Sequence, residues 1–237
     1  MKILAIIPAR GGSKGIPGKN IKFLGDKPLL VYTFNSAKES RFLSKIILSS
    51  EDAEIIEVAQ SLGLEVPFKR PINLAQDNSS SIEVVQHAID FFESKGEKFD
   101  AVCLLQVTSP FREKGFVDKA IETFIEKKTD ALVSVLKVPH EFNPHWTFEA
   151  NPDGLLLIAT GEKEIIKRRQ ELPNAYFRDG FIYITKVDTI KKGSFFGESL
   201  AFIESNPDYY VNIDTMNDWE KAEKMLPQIV PFLSCAE

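Results

Sequence analysis

Short, almost uninterrupted apolar runs alternate along this chain with longer stretches in which apolar residues recur at helical spacing. The runs predict strands over 3–7, 45–49, 101–106, 131–136 and 180–185, and the periodic stretches predict helices over 29–40, 53–62, 81–95, 115–127 and 218–226. Strands that read as continuous apolar runs are buried on both faces, so the pattern predicts an α/β protein: a mostly parallel sheet with helices on both faces. Ligands of such sheets sit beyond the carboxyl ends of the strands, where the loops 8–20 and 108–112 would lie, so the two loops are expected to face one pocket. Between Pro139 and Pro173 the alternation breaks. "PHEFNPHWTFEANPDG" is rich in proline and aromatics, and "EKEIIKRRQELP" reads as a short charged helix. This predicts an excursion from a single domain spanning 1–237, serving as a lid or a dimer arm.

Length fits that picture, since 237 residues suit one α/β domain with an ample core. No stretch approaches the roughly 20 apolar residues of a membrane span. The amino terminus starts a strand at Lys2 without a signal-peptide layout, so a cytoplasmic protein with no membrane partner is expected. Cys103, inside an apolar run, and Cys235, near the end, offer neither metal spacing nor a disulfide framework. A formal charge of −5 argues against a nucleic-acid surface, although it leaves room for a local cationic pocket.

Such a pocket is suggested by "IPARGGSKGIPGKN", which directly follows the first apolar run. Its fourteen residues hold four glycines, two prolines, an arginine and two lysines. Glycine lets backbone approach a ligand, and exposed amides beside Arg10, Lys14 and Lys19 would suit a polyphosphate. The stretch matches neither G-x-G-x-x-G nor G-x-x-x-x-G-K-[ST], and Pro17 and Pro28 argue against an immediate long helix. On its own it also reads as a charged surface turn.

Five segments, "IPARGGSKGIPGKNI", "LAQDNSSSIEVVQHAI", "LLQVTSPFR", "RRQELPNAYFRDGFIYI" and "NIDTMNDWEKAE", together span nearly the whole chain. In this order and at these separations they closely resemble the acylneuraminate cytidylyltransferases, or CMP-sialic acid synthetases. The resemblance implies a Rossmann-like three-layer fold of the nucleotide-diphospho-sugar transferase type. It implies a homodimer that uses CTP, Mg2+ and a 2-keto-3-deoxy sugar acid of the nonulosonic class. The anomeric hydroxyl would attack the α-phosphorus of CTP and release pyrophosphate. Catalysis of such a step rests on alignment and charge neutralisation.

Carried onto this sequence, the resemblance assigns nucleotide binding to Arg10, Gly11, Gly12, Lys14, Lys19, Asn20, Arg70 and Ser81. Catalytic roles fall to Arg10, Lys19 and Asp214, and sugar contacts to Gln106, Arg169 and Asp179. Other readings stand beside these. Asp77 and Ser81 could cap the helix that starts there, His87 is expected to be packed inside it, and Arg112 is either functional or part of a structural ion pair.

Two positions depart from the family pattern. Asp179-Gly180 stands where relatives read N-G, and Asn212-Ile213-Asp214 where they read the metal-binding D-x-D. Both changes concern carboxylates, so Asp179 is expected to replace the lost ligand and share magnesium with Asp214, unless it pairs with Arg178 or faces solvent. The departures also keep two other classes open: an enzyme of the same fold acting on a different sugar or sugar 1-phosphate with another nucleoside triphosphate, and a catalytically idle nucleotide-binding protein.

Overall fold

The computed structural model describes residues 1–233, so Cys235 lies outside the described residues. In chain order the strands are β1 (Ile3–Pro8), β2 (Phe23–Leu24), β3 (Lys27–Pro28), β4 (Leu43–Ser49), β5 (Ala101–Leu104), β6 (Ala131–Lys137), β7 (Phe148–Ala150), β8 (Leu156–Ile158), β9 (Tyr176–Lys186) and β10 (Leu200–Glu204). The helices are α1 (Leu29–Lys38), α2 (Ala53–Ser61), α3 (Ser81–Ser94), α4 (Phe116–Lys127), α5 (Val187–Lys191) and α6 (Met216–Ile229). Contacts divide the chain into two compact units, one of Met1–Ser134 with the chain from Asp179 onward, the other of Val135–Arg178.

The first unit carries the six-stranded sheet, in the order β10-β6-β9-β5-β1-β4. β1 runs parallel to both β4 and β5, with Ile6 opposite Ile47 on one side and Leu104 on the other. β9 runs antiparallel to β5. The apolar runs become the core as anticipated: Leu4, Ala5, Ile6 and Ile7 are fully covered, and Trp219 of α6 shares one cluster with Ala5, Ile7, Leu29, Phe111 and Phe124. Burial leaves Cys103 of β5 a free thiol, pushed up to about 12 and therefore neutral. Among the described residues no helix is long and apolar enough to cross a membrane.

Helix starts follow local chemistry. Asp52 caps α2 by accepting the amides of Glu54 and Ile55, each at 3.0 Å. Ser80 and Glu83 form a reciprocal capping box at α3, and Thr215 and Asp218 form another at α6. The capping residue of α3 is therefore Ser80. Asp77 and Ser81, for which capping stood as another reading, do not take that role, because Ser80 stands at the position whose side chain reaches the third amide of the helix.

α1 differs from the other helices in being buried over nearly its whole circumference, from Leu29 to Ala37. Its polar residues Thr33, Asn35 and Ser36 are therefore interior groups that need partners. The sequence pattern missed β10 and α5. β10 is an edge strand of alternating burial, with Ala201 and Ile203 inward and Leu200 and Phe202 exposed, so it offers no continuous apolar run.

The second unit is built on the antiparallel hairpin β7–β8, in which Glu149 faces Leu157. Asn151 shapes its turn, its Oδ1 accepting the amides of Asp153 and Leu155. Trp146 is held within the unit, its Nε1 donating to the Ile166 carbonyl at 2.7 Å. Phe142, Leu155, Leu156 and Leu157 remain exposed.

Candidate active site

A cavity of about 400 Å³ opens in the first unit where β1 and β5 end. It lies where loops following parallel strands are expected to build a site. Arg10, Ser13, Lys19 and Asn20 form one wall, Gln106, Val107 and Thr108 a second, and Asn212 and Asp214 a third. Arg70, Gln76, Asp77, Ser79 and Ser81 also line it, with Pro8, Leu74 and Val84 as apolar neighbours.

The glycine-rich loop is fastened rather than loose. Asn20 Nδ2 donates to the Arg10 carbonyl at 2.9 Å, closing the loop on itself. Gly15 sits directly against the Asp214 carbonyl oxygen, which a Cβ would overlap. Lys19 is buried, its Nζ donating to the Ile213 carbonyl at 2.7 Å and to Asp214 Oδ1 at 3.1 Å. Asp214 in turn receives the Asn212 amide at 2.7 Å on its other oxygen. The loop and the 212–214 segment are thus one charged unit, with Lys19 at its centre.

Arg70 is anchored from beneath the cavity, Nε donating to Ser49 Oγ at 3.0 Å and Nη2 to the Ser49 carbonyl. Burial lowers its pKa, with partial compensation from Glu51. Asp77 bridges the Arg10 guanidinium, at 2.9 Å, and the Lys14 ammonium. The bond from Lys14, and after it that from Arg10, holds the Asp77 carboxyl below the usual carboxylate range.

Several expected residues stand elsewhere. Gly11 does not line the cavity, and its amide is already committed to Glu51 Oε1 at 2.7 Å. Gly12 and Lys14 line a neighbouring depression that shares Arg10, Ser13, Gln76 and Asp77 with the cavity. Arg169 belongs to the second unit, exposed in a one-turn 3-10 helix. His87 is packed edge-on against Phe68, with ring centroids 4.7 Å apart.

Asp179 requires a correction. Only 3% exposed, it lies outside the cavity lining, its Oδ1 accepting the Phe181 amide at 2.9 Å and the Ser134 hydroxyl, and its Oδ2 accepting the Ser205 hydroxyl. With its oxygens occupied by three internal donors, this carboxylate does not face a magnesium ion or a sugar. It neither pairs with Arg178 nor faces solvent. Its partners are two serines and a strand amide.

Among the described residues no three His, Cys, Asp or Glu side chains gather into a metal cluster. Asp214 is the carboxylate suited to a cation, with 60% of its side chain exposed at the cavity. That fits magnesium held mainly by substrate phosphates and water, with a single carboxylate from the protein.

Sequence reasoning did not single out Ser13, Gln76 or Ser79 as wall residues. Their only signal was position inside two of the family-like segments, since short polar side chains beside glycine or a helix start otherwise read as turn and cap chemistry.

The profile of the family described as Cytidylyltransferase matches residues 4–228. The chain belongs to this family. Relatives confirm the resemblance to CMP-sialic acid synthetases carried by the five segments. A pseudaminic acid cytidylyltransferase of Campylobacter jejuni is 37% identical over 225 residues, covering 94% of this chain and 95% of the relative. A CMP-N,N'-diacetyllegionaminic acid synthase of Legionella pneumophila is 35% identical over 229 residues, covering 95% and 97%. The fold is shared with a CMP:2-keto-3-deoxy-manno-octonic acid synthetase solved with CTP, at a TM-score of 0.70 and 17% identity, covering 96% of this chain and 99% of that one.

Proposed function

We propose that this protein is a CMP-sugar synthetase that couples CTP to the anomeric hydroxyl of a nonulosonic acid. The observation that carries the proposal is the convergence of Arg10, Lys19 and Asn20 with Gln106 around one cavity, in a chain whose full-length relatives are named for pseudaminic and legionaminic acids. The sugar oxygen bonds to the α-phosphorus, the bond from that phosphorus to the bridging oxygen breaks, and pyrophosphate leaves.

The chain's own groups account for binding and alignment. Arg10 and Lys19 offset the triphosphate charge, Arg70 braces the nucleotide side through Ser49, and the Gln106 amide both donates to and accepts from a polyhydroxylated acid. Asp214, with Asn212 beside it, would hold Mg2+, which when bound neutralises phosphate charge. The decisive experiment follows pyrophosphate release from CTP across a panel of nonulosonic acids. Turnover with one or more of them is expected. Turnover only with sugar 1-phosphates or another nucleotide would overturn the reading.

Homodimerisation belongs to the proposal. It is supported by the second unit, where Phe142 is 68% exposed and Leu155, Leu156 and Leu157 are each more than half exposed. Such apolar area suits an interface core. Trp146, another aromatic of the same excursion, is partly buried and bonded within the unit. A monomer at micromolar concentration in sedimentation would rule the dimer out. The use of CTP supports a cytosolic site of action.

A further inference from the structure

Arg112 is completely buried, yet no carboxylate lies within ion-pair distance of it among the described residues. All its bonds go to neutral oxygens. Nε and Nη2 donate to the Phe181 carbonyl at 2.9 and 2.7 Å, Nη2 also donates to the Gln106 carbonyl at 3.0 Å, and Nη1 donates to Thr33 Oγ1 at 3.1 Å. Burying a guanidinium is costly, and the cost is offset only when every donor finds its acceptor. An apolar side chain would fill the space without that demand. What the guanidinium adds is a fixed arrangement of three elements: α1 through Thr33, the end of β5 through Gln106, and β9 through Phe181.

The opposite side of Phe181 is held as well. Its amide donates to Asp179 Oδ1 at 2.9 Å while its carbonyl receives Arg112, so one residue of β9 is gripped through both of its backbone polar groups. Ser109 ties the same turn back to the β5 loop, its Oγ donating to the Asp179 carbonyl at 3.1 Å. Between them Gly180 has φ +84°, and a Cβ there would stand 3.0 Å from Gln106 Oε1 and 2.8 Å from Ser109 Oγ. Gln106 is thus set twice: its carbonyl by Arg112 and, at 3.4 Å, Thr33, and its side chain by the close backbone at Gly180. No protein hydrogen bond holds its side-chain amide among the described residues, and Gln106 lines the cavity. Its amide groups are free for a ligand.

We propose that Arg112 is a positioning residue for Gln106, with Thr33 and Asp179 as its co-anchors, and that this clamp sets affinity for the sugar acid without setting affinity for CTP. The inference rests on the proposed CMP-sugar synthetase function and deepens it. A guanidinium with only a structural role would affect both substrates alike.

The test compares Arg112→Lys, Thr33→Val and Gln106→Ala, singly and with each of the first two combined with the third. Measured quantities are kcat, KM for the sugar acid, and CTP affinity by calorimetry without sugar. Gln106→Ala and Arg112→Lys are each expected to raise the sugar KM about tenfold, with CTP affinity held within about twofold. Thr33→Val, which removes one hydroxyl and keeps its shape, should raise the sugar KM about threefold. In the Gln106→Ala background neither variant should add anything further, because residues acting through one group are not additive. Additive losses, or an equal fall in CTP affinity, would overturn the proposal. If Gln106→Ala leaves the sugar KM unchanged, Gln106 leaves the sugar site and the functional reading of it fails too. A shift for Gln106→Ala with none for the other two overturns the clamp alone. Should Arg112→Lys fail to fold, Thr33→Val decides.

Discussion

Lys19 Nζ lies 3.1 Å from Asp214 Oδ1, joining residues 195 positions apart at the wall of the cavity. The same ammonium donates to the Ile213 carbonyl, so the lysine is pinned against the 212–214 segment at the cavity wall, where the proposed function puts the triphosphate. Lys19→Ala removes that charge and leaves Asp214 facing incoming phosphates alone. Turnover is expected to fall at least about tenfold, corresponding to roughly 1.4 kcal/mol of lost transition-state stabilisation. Wild-type rates in steady-state assays would remove Lys19 from the catalytic group.

Asp77 predicts a change of opposite sign. Its carboxylate already occupies Arg10, which lines the cavity, and Lys14, which lines the neighbouring depression, so on the proposed function a triphosphate that engages Arg10 has to displace it. Asp77→Asn should bind CTP more tightly, by a few-fold at low salt, with the difference shrinking as salt rises and screens the exposed charges. Calorimetric titration at two ionic strengths checks both statements. Weaker CTP binding in the variant would show that Asp77 assists the nucleotide instead.

The roles of Asp77, Arg112 and Asp179 also show where sequence reading reaches its limit. Apolar runs and helical periodicity located β1, β4, β5, β6 and all five long helices, because burial against a sheet imposes its pattern over many residues. The family resemblance assigned the glycine-rich loop, Gln106 and Asp214 to one site, and Arg10, Lys19, Asn20, Gln106 and Asp214 line one cavity. Partner choice for a single polar side chain leaves no such trace. Asp77 pairs with cations rather than a helix start because Ser80 is better placed to cap. Arg112 was open between an ion pair and a function, and its partners turn out to be the carbonyls of Phe181 and Gln106 and the Thr33 hydroxyl. Asp179 fits a metal ligand in one dimension and a buried serine acceptor in three.

For Asp179 that difference is measurable. Asp179→Asn replaces a charged acceptor of three internal hydrogen bonds, so stability should drop by about 1–3 kcal/mol. The magnesium concentration needed for half-maximal rate should not change. A raised magnesium requirement without loss of thermal stability would restore Asp179 as a metal ligand.

His87 sets a pH dependence. Its Nδ1 is buried without a partner among the described residues, and burial lowers its pKa from the ordinary value. The unfolded chain then binds the proton more readily, so stability is unaffected above about pH 6.5 and declines as pH falls below it. The melting temperature should be lower at pH 5.5 than at pH 7.5, a slope that His87→Leu should flatten. An unchanged slope in the variant would shift the effect to other groups.

Gly15 and Gly12 share one loop but face different surroundings. A Cβ at Gly15 would overlap the Asp214 carbonyl oxygen, whereas at Gly12 it would meet nothing within 4 Å. Backbone cannot rotate out of the way as a side chain can, so Gly15→Ala has to push the loop off the 212–214 segment. Overpacking of this kind costs about 1–3 kcal/mol. For a chain of this size that corresponds to roughly 2–12 °C in melting temperature. Because Lys19 reaches Asp214 across the same seam, CTP affinity should fall together with stability. Gly12→Ala should melt like the wild type. If it binds CTP as well as the wild type, the nucleotide does not approach that backbone closely; if it binds more weakly at full stability, Gly12 touches the ligand. Equal melting temperatures for the two variants would mean the loop is not seated on Asp214.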